Sequence, residues 1–140
     1  MSTSDADTAA RGHRPRPLSP HLSIYRPIVT MVMSIMHRVT GVLNVGGLLL
    51  VTLYLLAIAL GPETHRNAAA VYGSWPARVL LVAFSWSLIH HFLGGLRHAL
   101  WDVGRGMDRS GRITLAWGTL VGSVTLTAVL WIVVVIVENF

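Results

Sequence analysis

Between Val39 and Leu60 the chain carries no charged side chain, and between Ile113 and Val137 only Thr, Ser, Gly and Trp interrupt the aliphatic residues. An α-helix rises about 1.5 Å per residue, so about 20 apolar residues cross a hydrocarbon layer about 30 Å thick. Both runs are long enough. A third run, Val79 to Leu100, is of similar length but contains His90, His91, Arg97 and His98. A chain that is 53% hydrophobic and 12% charged could also build a tight soluble core, but apolar residues gathered into three such runs argue for a membrane. The sequence therefore predicts an all-α integral membrane fold of three transmembrane helices, over about 28–60, 77–103 and 113–137, with short connections.

Cysteine is absent, which excludes disulfides, thiolate metal sites and cysteine nucleophiles within this chain. Arginine supplies all the basic charge. Arg11, Arg14, Arg16 and Arg26 precede the first span, and Arg105, Arg109 and Arg112 fill the second connection, close to Arg97. The first connection holds Arg66, with Arg78 at its far end, and Glu138-Asn139-Phe140 has no basic residue. The positive-inside bias then puts the N-terminus and second connection in the cytoplasm and the C-terminus in the periplasm of a bacterial inner membrane. The formal charge of +5 follows from this topology. It does not indicate nucleic-acid binding, because the arginines are divided by spans and form no folded basic face.

Residues 1–15 are small, polar and mixed in charge, the composition of a disordered cytoplasmic tail. Asp5 and Asp7 argue against a mitochondrial transit peptide, and no apolar stretch precedes a cleavage site. Over 16–27, Pro17, Pro20 and Pro27 forbid a regular helix, so this stretch is expected to lie extended on the cytoplasmic face. It serves either as a connector or as a docking segment for a partner. The remainder, 28–140, forms the membrane domain.

Ionisable residues inside hydrocarbon cost about 2.5 to 3.5 kcal/mol each on insertion scales, so they usually mark a site. Counting from Val79, His91 falls about 18 Å into its span, slightly past the midplane, and Arg97 and His98 lie about 9 to 10 Å further along. Counting back from Leu60 places His37 and Arg38 at the same edge, with Ser34 one turn beyond. Polar residues of two helices thus meet at one level.

A neutral imidazole at the depth of His91, with cationic groups nearer the surface for propionates, suits a haem set edge-on in a helix bundle. Gly94 and Gly95 would let a macrocycle or another helix approach, and Ser87, four residues earlier, could fix the tautomer through its hydroxyl or its carbonyl. The simpler alternative is a hydrogen bond from His91 across helices. His90 points about 100° away from His91, so the two cannot share a face, whereas His91 and His98 do. Ser34 and Arg38, four apart, offer a hydroxyl and a cation on one face, which fits a quinone head group whose reduced forms carry negative charge. The alternative for Arg38 is snorkelling to lipid phosphates. In the last span, Gly118 and Gly122 form a small-xxx-small pattern, with Ser123, Thr125 and Thr127 available for interhelical hydrogen bonds. Two rivals remain: a small proton-conducting transport subunit with His90, His91 and His98 as a relay, and a haem shuttle that uses two of its own histidines.

Arg16-Pro17-Leu18-Ser19-Pro20-His21, Ser34-Ile35-Met36-His37-Arg38-Val39-Thr40-Gly41 and His91-x-x-x-Gly95-Leu96-Arg97-His98-x-x-Trp101-Asp102-x-Gly104 stand in this order along the chain. Together they resemble the cytochrome b subunit of succinate dehydrogenase, by motif over about Arg16 to Gly104 and by position in the third span. The resemblance implies a non-catalytic anchor subunit that pairs with a second small membrane anchor and holds a flavoprotein and an iron–sulfur protein on the bilayer. It implies one haem b, with His91 as an axial ligand of its iron and the other ligand from the partner anchor. His37, His98 and Arg38 would lie near the propionates, and Ser34 and Arg38 would line the ubiquinone site. Asp102 would stand on a proton path or pair a charge, and Arg97 would be a structural charge.

Overall fold

The computed structural model describes residues 26–138. The expected tail over 1–15 and most of the extended segment over 16–27 lie outside the described residues. Four helices follow one another, α1 Val29–Ala59, α2 Pro62–Tyr72, α3 Trp75–Asp102 and α4 Arg109–Glu138, and no strand occurs among the described residues. Three of them, α1, α3 and α4, are long and apolar enough to cross a membrane. Within the bundle α3 packs against both α1 and α4, and α1 also meets α4. With 31 residues, α1 is about 46 Å long and outreaches the hydrocarbon layer.

The first connection departs from expectation, because it holds a helix of its own, α2. Gly61, at φ 119°, breaks α1 in a backbone conformation that side chains disfavour. Pro62 then opens α2 with Glu63 in its first turn, both favourable at a helix N-terminus. α2 is tied to the end of α1. The Tyr72 hydroxyl donates to the Leu50 carbonyl at 2.6 Å, and the Tyr54 hydroxyl lies 3.1 Å from His65 Nε2.

α4 starts at Arg109, four residues before its apolar run, because Asp108 caps it: the Gly111 N–H donates to Asp108 Oδ2 at 3.0 Å. In the turn before it, Gly104 and Gly106 adopt φ 74° and 69°. The Trp101 indole N–H reaches back to the Gly106 carbonyl at 3.3 Å and ties this turn to α3.

The bundle interior is polar and its outside is apolar. Thr40, Asn44, Ser87, His90, Arg97, Thr119, Ser123 and Thr127 are buried, while Val42, Phe92 and most leucines are exposed. Lipid tails are as apolar as leucine, so helices in a bilayer gain little by hiding leucine and more by close packing and interhelical hydrogen bonds. α1 and α3 are joined in this way: the Ser87 hydroxyl donates to Asn44 Oδ1 at 2.8 Å, with the Thr40 carbonyl 3.2 Å away. At Gly47 the helices approach so closely that the Phe84 ring occupies the place of a Cβ. The contact seam of α4 runs through Ala116, Thr119, Ser123 and Thr127. The expected pair of glycines contributes only in part. Gly118 faces open space, Gly122 packs near Leu93, and Thr125 is exposed.

Candidate functional site

α3 presents two histidine faces. His90 turns to α4 and is sealed at 1% exposure. Its Nδ1 lies 3.1 Å from Ser123 Oγ, whose own proton goes to the Leu120 carbonyl at 2.9 Å, so the network assigns the His90 proton to Nδ1. Arg97, seven residues on, shares that face and is also buried. His91 turns to α1 and stays half-buried.

The surroundings of His91 fix its chemistry. Its Nδ1 lies 3.0 Å from the His37 carbonyl oxygen, and a carbonyl can only accept. The proton is therefore on Nδ1, and Nε2 keeps its lone pair. Thr40 Oγ1 stands 3.4 Å from the same Nδ1, a longer and weaker contact. Nε2 has no hydrogen-bond partner among the described residues and is not sealed inside the bundle. Gly41 makes this approach possible, since a Cβ there would come 3.0 Å from His91 Cε1.

Neither the hydroxyl nor the carbonyl of Ser87 sets the His91 tautomer as expected: the hydroxyl is committed to Asn44, and His91 Nδ1 meets the His37 carbonyl instead. The two α3 glycines also have separate fates. Gly94 is pressed against His37, where a Cβ would lie 2.6 Å from Nδ1, while Gly95 faces open space. The His37 and His91 rings stack with centroids 4.0 Å apart and planes 11° apart, and His98 lies 5.2 Å from His37. His37 Nδ1 is buried without a partner. Ser34 is half-buried and Arg38 exposed on the same stretch of α1. Asp102, in the last turn of α3, is exposed, one turn beyond His98.

Thus three of the expected residues, His37, His91 and His98, form one cluster, with Ser34 and Arg38 along the adjoining helix. No group of three ligands suited to a bare metal ion occurs among the described residues. Thr40, beside His91 Nδ1, and Asn44, which holds Ser87, were not expected in these roles. Asn44 was legible only as the one amide in an uncharged run.

A family model for the succinate dehydrogenase/fumarate reductase transmembrane subunit matches residues 12–136. This chain belongs to that family. A transmembrane subunit agrees with the three helices long and apolar enough to cross a membrane, and the match takes in all the histidines of the cluster. Among similar family members is the succinate dehydrogenase cytochrome b556 subunit of Paracoccus denitrificans, 39% identical over 119 residues, which covers 85% of this chain and 91% of that protein. The cytochrome b556 subunit of Rickettsia prowazekii is 35% identical over 117 residues, 84% of this chain and 91% of its own length. The mitochondrial cytochrome b560 subunit of Sus scrofa is 35% identical over 120 residues, 81% of this chain and 70% of that protein.

Proposed function

We propose that this chain is the cytochrome b anchor of a succinate dehydrogenase, that His91 is one axial ligand of a b-type haem, and that Ser34 and Arg38 line the site where ubiquinone is reduced. The observation that carries this reading is the Nδ1 contact of His91 with the His37 carbonyl, which leaves Nε2 with a lone pair at the chain surface. A histidine ligand is commonly oriented by such a hydrogen bond from its other nitrogen. The similarity to proteins named cytochrome b supports the same reading.

A single chain supplies a single ligand on this reading. His37 is stacked on His91 at 4.0 Å, so these two rings could not hold an iron between them. His90 is sealed against Ser123. The second ligand then belongs to a partner anchor, and the haem-shuttle alternative loses its support. A proton relay through His90, His91 and His98 is likewise disfavoured, since His90 faces a different helix from the other two.

The haem, when bound, supplies a one-electron acceptor. The residues of this chain hold and orient. His91 offers Nε2, the His37 carbonyl holds its ring, and His37, His98 and Arg38 give donors for propionates. On α1, the Ser34 hydroxyl and the Arg38 guanidinium donate to quinone oxygens and favour the negative charge that develops on reduction. Asp102 stands exposed at the same end, placed to pass protons from water. With the arginine-rich end in the cytoplasm, a flavoprotein and an iron–sulfur protein would dock there. A reduced-minus-oxidised spectrum of the complex purified through this chain tests the reading: b-type bands are expected, and their absence overturns it.

A further inference from the structure

The face of α3 that carries His90 also holds an unexplained charge. Arg97 is 3% exposed, and its Nε and Nη1 are buried without a hydrogen-bond partner. The face of Trp101 lies beside it, with Cζ 5.2 Å from the ring centroid. A guanidinium is permanently charged, and an indole face compensates only part of what water would give it. A cation buried inside a membrane bundle without a hydrogen-bond partner calls for an anion.

Arg97 lines a groove of about 270 Å³ between α3 and α4. Its walls include Leu96, Leu100, Leu115 and Gly118, with the Thr114 hydroxyl as a further polar group. Arg97 lies five residues from the end of α3, about 7 to 8 Å below that end. Arg105, Arg109 and Arg112 are exposed around the same end, so the field at the groove mouth is positive.

We infer that this groove binds an anionic phospholipid, its phosphodiester paired with Arg97 and its acyl chains along the leucine wall. Charge complementarity selects an anion, and the guanidinium fork matches phosphate oxygens. The apolar walls select a lipid over a free ion. The depth agrees, because phosphates sit where spanning helices leave the hydrocarbon.

The test uses the complex purified through this chain and reconstituted in nanodiscs of phosphatidylcholine containing a minority of phosphatidylglycerol, with retained lipid counted by native mass spectrometry after detergent exchange. Wild type should retain phosphatidylglycerol with a preference of about tenfold over phosphatidylcholine, and Arg97→Gln should remove that preference. Gly118→Leu supplies a second variant. A Cβ at Gly118 meets nothing within 4 Å, so leucine there should fill the groove and expel the lipid while circular dichroism shows the helices intact. Arg112→Gln, an exposed control, should retain the lipid. Three results would overturn the inference: equal retention in wild type, Arg97→Gln and Gly118→Leu; displacement of the lipid by millimolar inorganic phosphate; or a cross-link that places a partner protein's carboxylate on Arg97. The haem spectrum of the same samples reports separately on the haem reading.

Discussion

His91 Nδ1 lies 3.0 Å from the carbonyl oxygen of His37, so a backbone atom of one helix sets the proton position on a side chain of another. Thr40 Oγ1, at 3.4 Å, is a secondary partner, and its own proton is engaged by the Met36 carbonyl at 2.8 Å. Thr40→Val should therefore keep the ligand and the fold. A contact this long is worth less than about 1 kcal/mol, which for a one-electron couple is below about 40 mV. Redox titration of the b-type band checks this, and a loss of haem would show that Thr40 does more than the geometry allows.

Adjacent glycines on α3 should behave oppositely. Gly95→Ala meets nothing within 4 Å and gains helix propensity, by up to about 1 kcal/mol. Gly94→Ala places its Cβ 2.6 Å from His37 Nδ1, and overpacking of this kind costs about 1 to 3 kcal/mol. Unfolding of the purified chain in mixed detergent micelles should show Gly95→Ala at or above wild type and Gly94→Ala clearly below it. Equal midpoints would mean that the His37 ring yields freely.

Loss of the hydroxyl in Ser87→Ala removes the hydrogen bond to Asn44 that joins α1 to α3. Interhelical hydrogen bonds in membranes average about 0.6 kcal/mol and reach about 1.7. Because Ser87 is 1% exposed and its loss leaves Asn44 Oδ1 without this donor, the cost should fall in the upper part of that range. The same unfolding assay measures it, with the haem spectrum unchanged.

Ser34→Ala and Arg38→Ala separate the quinone site from assembly. Succinate oxidation by a soluble acceptor should persist in both, while reduction of a ubiquinone analogue should fall, more for Arg38→Ala, which loses a charged donor worth about 1.5 to 3 kcal/mol. Steady-state rates with the two acceptors, measured on one preparation, decide the matter. A parallel fall in both would assign these residues to assembly instead.

The three spans were legible because hydropathy is a property of the sequence and because bilayer thickness sets helix length. The division of labour between His90 and His91 followed from a 100° rotation alone, and the buried contact of His90 with Ser123 agrees with it. What escaped was set by tertiary placement. A backbone carbonyl such as that of His37 has no sequence signature, so a serine four residues away looked like the better partner for His91. α2 escaped because it is too polar to span, although Gly61-Pro62 followed by Glu63 announces a helix start. Arg97 looked like a neighbour of His98 in sequence, yet the helix turns it toward α4, on the face of His90.

The central claim is that His91, and not His90, ligates a haem. Reduced-minus-oxidised spectra of the complexes purified through His91→Ala and His90→Ala chains test it most directly. The expected result is loss or gross perturbation of the b-type bands in His91→Ala and normal bands in His90→Ala, whose cost should appear only in stability. Normal bands in His91→Ala together with lost bands in His90→Ala would contradict the account.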